Sequence, residues 1–408
     1  MSDALWDLAA SRRHKTVMIL VAALACFGMG PAAAQTPQSA DEELLSLTGS
    51  QPALAADSRG GFVTVWTDTE AGNEGLGIRG CLLAPKKGSC GPHFAVNTTA
   101  IGDQIRPSVT ADDPGRFVVA WQGPAEPGTG IFGQRFGAGG VKLGSELLLS
   151  GTGSGVPAWP KVAMGEGGDF IAAWQNDQDN RIEVARFSAK GKPLGSPFPM
   201  DAEGETNNGA MVARYPSGFT VGWHEFFDQS GGRSGSSFAA VASFDLSGRP
   251  VGKIERLGGS QGYGIDALVG SRSGALAVFA SSDGHSAQRF EAAGEAKGVR
   301  FPIADQPQCT TSDGPCESVA AVDMDTRGRF VVIWEVAEGA TFNLFAQLFT
   351  PGGKARTERI AVNATPSTGF ESPAVALADD GGVMVAWVRS DTQNPERTGL
   401  FLRRMRLQ

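Results

Sequence analysis

Phe117-Val118-Val119-Ala120-Trp121 is a short apolar run that ends on a tryptophan, and the chain repeats it. The register returns as Phe62-Val63-Thr64-Val65-Trp66, Phe170-Ile171-Ala172-Ala173-Trp174, Phe219-Thr220-Val221-Gly222-Trp223, Leu276-Ala277-Val278-Phe279, Phe330-Val331-Val332-Ile333-Trp334 and Val383-Met384-Val385-Ala386-Trp387. The closing aromatics lie 55, 53, 49, 56, 55 and 53 residues apart, and six of the eight tryptophans occupy this register. A fixed period of this length marks a repeat architecture, in which each unit buries its apolar face against its neighbours.

Working outward, each run follows a short segment such as Pro107-Ser108-Val109-Thr110 or Pro160-Lys161-Val162-Ala163, here strand A. A turn such as Asp57-Ser58-Arg59-Gly60 or Asp379-Asp380-Gly381-Gly382 joins A to the aromatic-ended strand B; Asp and Gly at these positions initiate turns or tolerate positive φ. Strand C follows with apolar alternation, as in Ile131-Phe132-Gly133-Gln134-Arg135-Phe136, and then a short strand D, as in Glu146-Leu147-Leu148-Leu149. Four antiparallel strands per repeat make a propeller blade. The seventh copy ends on strand C, Leu400 to Leu407, while Glu42 to Leu47 precedes the first strand A and reads as a strand D. The expected fold is therefore all-β, a seven-bladed β-propeller closed by its N-terminal strand. Its blades fall at about 51–97, 106–149, 158–200, 209–256, 264–303, 317–363 and 372–408, with the closing strand at 42–47.

The string P-x-V-A, G-x-F-V-V-A-W, I-x-x-Q-R-F-x-x-x-G resembles repeats of secreted bacterial β-propeller proteins, most clearly between Arg106 and Leu149. The resemblance spans about Leu44 to Leu407 and implies fold and compartment. Its shared residues are packing and turn positions, so it carries no catalytic residue across. The fourth and fifth copies depart from it: Pro is missing from strand A, and Phe279 replaces Trp.

Residues 1–34 read as an export signal, with Arg12, Arg13 and Lys15 ahead of an apolar stretch from Val17 to Phe27 and Ala32-Ala33-Ala34 before Gln35. Residues 35–41 form a flexible lead-in to a propeller over 42–408. The apolar run is too short to span a bilayer, which takes about 20 residues, so the expected location is periplasmic or extracellular, with no transmembrane segment. The general secretory route is favoured over the twin-arginine one, and Ala23-Leu24-Ala25-Cys26 makes only a degenerate lipobox. Four cysteines remain beyond the signal, and oxidising conditions favour local disulfides Cys81–Cys90 and Cys309–Cys316 over a zinc site, whose ligand spacing they do not match.

The 408 residues carry a net charge of −8 with 19% charged residues, and no basic run follows the signal, which argues against nucleic-acid partners. No G-x-S-x-G, H-E-x-x-H or P-loop occurs. Asp323-Met324-Asp325-Thr326-Arg327-Gly328 faintly resembles a calcium loop, but Arg327 stands where an acidic ligand would be wanted; otherwise no cofactor or metal is expected. Asn97-Thr98-Thr99 and Asn363-Ala364-Thr365 match a glycosylation acceptor but also suit turns at the exits of D strands.

The register tryptophans could stack on sugars; their single repeated position points instead to packing. Trp159, outside the register and beside Pro160, is a candidate for the channel mouth. In a propeller the D-to-A and B-to-C connections share one face, so the residues following each aromatic form a rim: Thr67, Gln122, Gln175, His224, Ala280, Glu335 and Val388. Its longest loops add Asp68, Glu70, Glu74, Glu225, Asp228, Asp391 and Glu396. The expected binding residues are Gln122, Trp159, Gln175, His224 and Glu335. Should the chain be an enzyme, His224 and Glu225 as an acid–base pair, with Glu335, are the catalytic candidates. The leading reading is a monomeric, non-enzymatic propeller that binds a protein or glycan through this rim. The alternatives are a carbohydrate-active hydrolase or lyase with carboxylates at the channel, and a structural module of the envelope.

Overall fold

The computed structural model describes residues 42–407, apart from 70–73, 86–88, 127, 152–154, 201–205, 228–235, 258–263, 282–283, 292–294, 305–315 and 391–397. The signal segment, the lead-in and Cys309 lie outside the described residues. All regular structure among them is β: 28 strands in seven four-stranded antiparallel sheets. The first blade runs β2 (Ser50–Ala56), β3 (Phe62–Asp68), β4 (Gly77–Leu83) and β5 (Phe94–Ala95). The second holds β6 (Ile105–Ala111), β7 (Phe117–Pro124), β8 (Thr129–Phe136) and β9 (Leu147–Leu148), and the third opens with β10 (Pro157–Met164). The last blade is β26 (Gly369–Leu377), β27 (Gly382–Ser390) and β28 (Gly399–Arg406), completed by β1 (Glu42–Ser46). In that latch, Leu44 pairs with Phe401 and Glu42 with Arg403, antiparallel. Closure removes the open edge on which a seventh, three-stranded blade would otherwise end.

The packing explains the repeated aromatic. Trp66, Trp121, Trp174, Trp223, Trp334 and Trp387 are all buried, as is Phe279. Each belongs to a different one of seven apolar clusters, and each cluster bridges two adjacent blades. Trp121, for example, packs on Val63 and Val65 of the preceding blade. Trp66 closes the ring against Met384 and Ala386. At the other end of strand B, stacked rings tie B to C: Phe117 on Phe136 with centroids 4.6 Å apart, Phe170 on Phe187 at 4.8 Å, and Phe330 on Phe349 at 4.9 Å.

The A-to-B turns are held by their acidic residue. Asp57 Oδ1 accepts from the amides of Arg59 and Gly61, both at 2.8 Å, and Asp325 Oδ1 accepts from Arg327 at 3.0 Å and Arg329 at 2.8 Å. Asp325 Oδ2 also takes the Arg329 guanidinium at 2.6 Å. The weighed calcium loop is thus a turn whose carboxylate is already engaged, and among the described residues no group of three His, Cys, Asp or Glu could hold a metal. Asn97 and Asn363 are buried, and the side-chain oxygen of each accepts from a strand C amide, those of Ile78 and Leu344.

Cys81 and Cys90 form a disulfide with Cα atoms 5.8 Å apart. Cys81 stands on β4 where Gln134 stands on β8, and Gln134 Nε2 spans its own C-to-D hairpin by donating to the carbonyls of Arg135 and Gly144. Gln288 and Gln347 make the same clamp in the fifth and sixth blades. The first blade replaces an amide clamp with a covalent one.

Candidate functional site at the channel mouth

The seven A strands line a central channel of about 780 Å³. Each of them bulges near its start, where one extra residue opposes strand B. In four blades the residue before the strand A proline takes a left-handed backbone: Gln51 (φ 51°), Arg106 (φ 58°), Trp159 (φ 55°) and Ser372 (φ 49°). That conformation costs a non-glycine residue roughly 1–3 kcal/mol, and such strain clusters at functional sites. The bulge turns these side chains onto the rim of the D-to-A face.

Three blades connect there. Gln51 Oε1 accepts from the Thr67 hydroxyl at 3.0 Å and from the Arg106 amide at 2.9 Å. Arg106 Nη1 donates to Gln122 Oε1 at 2.8 Å, and its guanidinium lies 3.5 Å from the centroid of the Trp159 ring. The indole remains 48% exposed, so one face carries the cation and open surface remains for a ligand. Burial pushes the Arg106 guanidinium below its ordinary value, while the nearby Asp177 opposes that shift. Its Nε is buried without a partner.

The remaining predicted residues are dispersed. Gln175 Oε1 reaches the Gly209 amide at 3.4 Å. His224 is half-buried against Gly264 of the next blade, and desolvation holds its imidazole below the usual value. Glu225 lies on the opposite face of the same strand, fully buried, with Oε2 2.5 Å from Arg256 Nε. Consecutive strand residues point to opposite faces, so His224 and Glu225 make no acid–base pair. Glu335 is partly buried, and desolvation raises its carboxyl above the ordinary range. Of the acidic rim, Asp68 is buried and accepts from the Trp66 indole at 2.7 Å, while Glu70, Asp228, Asp391 and Glu396 lie outside the described residues.

The sequence reading did not single out Arg106, Gln51, Lys161 or the Asp266–His285 pair. The available signal was the position before the strand A proline, which holds a different residue in each of the four blades that have one: Gln51, Arg106, Trp159 and Ser372. Asp266 lines the channel, and its Oδ2 is 3.0 Å from Nδ1 of the buried His285. Burial raises the Asp266 carboxyl, partly offset by that histidine. Deeper, Asp323 accepts from the Leu377 amide at 2.7 Å, and desolvation pushes its pKa up to about 7. At the opposite face Arg272 crosses the opening to Asp113 and Glu166, each at 2.9 Å.

No protein-family model matches the chain, and no curated protein does. Solved propellers are similar in fold. A polysaccharide lyase described as a PL25 ulvan lyase, bound to -[GlcA(1-4)Rha3S]-, aligns with a TM-score of 0.52 at 11% identity, over 87% of this chain and 93% of that one. Puromycin hydrolase aligns with a TM-score of 0.50 at 13% identity, over 90% of this chain and 58% of that one. At such identity the likeness is one of fold.

Proposed function

We propose that the chain is an exported, non-enzymatic propeller of the secreted bacterial repeat type that binds a glycan at the D-to-A rim. The observation that carries this reading is the Arg106–Trp159 pair: an exposed indole, held on strained backbone and backed by a guanidinium, is the kind of rigid platform on which a sugar ring stacks. Gln51 and Gln122, both partly exposed, supply hydrogen-bonding groups beside it. Export is supported by the disulfide, which persists in oxidising compartments, and by the leader-like residues 1–34. The test is a panel of glycans and envelope proteins offered to the wild type and to Trp159→Ala. Glycan binding that Trp159→Ala weakens at least tenfold supports the reading; capture of proteins only, or of nothing, removes it.

A second reading, a hydrolase or lyase acting on the bound carbohydrate, is favoured by Asp266 and Glu335. Both carboxyls are pushed upward by burial, the direction in which a carboxyl becomes better suited to act as a general acid. New reducing or unsaturated chain ends, lost in Glu335→Gln or Asp266→Asn, would establish it.

A further inference from the structure

Among the charged residues that line the channel, Lys161 stands apart. Asp57, Asp113, Glu166, Arg214, Arg272 and Asp379 all hold hydrogen bonds or ion pairs, as do Asp266 and Asp323. Lys161 makes no hydrogen bond or ion pair with any described residue. Its equivalents on the other six A strands are Ala53, Ser108, Met211, Ala267, Ala321 and Ala374. None of these carries a charge. The amine is open to the lumen yet desolvated by the surrounding strands, which push it below the ordinary lysine value with no carboxylate to oppose the shift.

A lysine exposed to the lumen with no partner in the wall is able to pair with a counter-charge that arrives there. Lys161 lies two residues beyond Trp159 on the same strand, so it is reached directly from the rim platform. The second cation there, Arg106, is met first. A ligand stacked on Trp159 therefore finds cations both at the rim and just inside it.

We propose that Lys161 is an anion-binding residue of the channel and that the ligand is an acidic saccharide, a sugar chain whose carboxylate pairs with Lys161 while a neighbouring ring stacks on Trp159. This rests on the glycan reading above and narrows it to a substrate class. The carboxylate supplies the missing partner.

The test uses uronic-acid oligosaccharides of several sugars and their methyl esters, which keep the rings and remove the charge. The expected result for the whole protein is preference for the acids, with Lys161→Met lowering acid affinity about tenfold or more, leaving ester affinity unchanged, and Lys161→Arg restoring much of the preference. Lys161→Met deletes an uncompensated charge, so it should fold at least as well as the wild type. As an independent readout, acylation of Lys161 followed by mass spectrometry should be blocked by the acids and not by the esters. Equal binding of acids and esters, or acid binding indifferent to Lys161→Met, overturns the assignment while leaving a glycan site. If inorganic sulfate alone competes as strongly as the oligosaccharides, the saccharide part falls. Binding of no saccharide of either kind removes the glycan reading itself.

Discussion

At the scale of single residues, the rim exchanges backbone strain for side-chain placement, and the two can be separated by mutation. Trp159→Gly relieves a left-handed backbone worth roughly 1–2 kcal/mol but adds chain entropy of a similar order in the unfolded state. We expect a melting temperature no lower than wild type together with loss of ligand binding; a large fall in stability would mean that the indole is a packing residue. Arg106→Lys keeps the charge but loses the planar face that lies over the indole, so binding should weaken even there. Asp323 gives the pH dependence. Its folded pKa of about 7 lies above the value of 3.8 for an unburied aspartate. The folded state therefore holds a proton that the unfolded chain releases, and stability falls as pH rises between those values. Asp323→Asn keeps an acceptor for the Leu377 amide without the charge. It should flatten that decline and be the more stable protein at pH 8 by about 1 kcal/mol or more, as read by urea denaturation across pH.

At the scale of elements, the hairpin clamps and the latch strand carry the argument. Losing the disulfide in Cys81→Ser/Cys90→Ser should cost about 2.5 kcal/mol in the chain-entropy view. Because Gln134, Gln288 and Gln347 close the equivalent hairpins with amide hydrogen bonds, Cys81→Gln/Cys90→Ser should recover part of that loss. Equal stability of the two double variants would show that the glutamine position is not a clamp. These elements were largely legible in the sequence. A buried aromatic recurring once per sheet must fill the same space each time, so its spacing fixed the blade number, and the unpaired ends fixed the closure. The bulges were not legible. A left-handed residue before proline depends on how strand A meets the channel, and the residue there changes from Gln51 to Arg106 to Trp159 with no shared chemistry to align. Lys161 was hidden for the opposite reason, since a lysine within a strand normally reaches solvent and only the ring shows that this one faces a confined lumen. His224 and Glu225 looked like partners because they are adjacent in sequence, which on a strand places them on opposite faces.

At the scale of the whole molecule, closure decides how the blades share stability. In an open array each repeat contacts only its neighbours, and the ends fray. Here Trp66 of the first blade packs on Met384 and Ala386 of the last, so seven apolar interfaces join seven blades and no terminal interface is missing. The latch strand reaches three blades at once. Leu45 is buried in the closing cluster, Glu43 Oε2 accepts from the Cys90 amide at 3.1 Å, and Glu42 meets Arg389 at 3.4 Å and the Ala364 amide. Leu45→Ala should therefore cost about 2–3 kcal/mol. Deleting residues 42–47 should do more than weaken one blade: it exposes the edge of β28 and loosens the cluster around Trp66, turning the ring into an array with two ends. For the intact chain, denaturant curves followed by tryptophan fluorescence and by far-ultraviolet circular dichroism should coincide, as a single cooperative unit requires. For the deletion, amide exchange should accelerate first in β27, β28 and β2, and the two curves should separate. If the deletion leaves the denaturation midpoint and exchange in β2 unchanged, the blades hold together by sequential contacts alone and the latch contributes nothing to the ring.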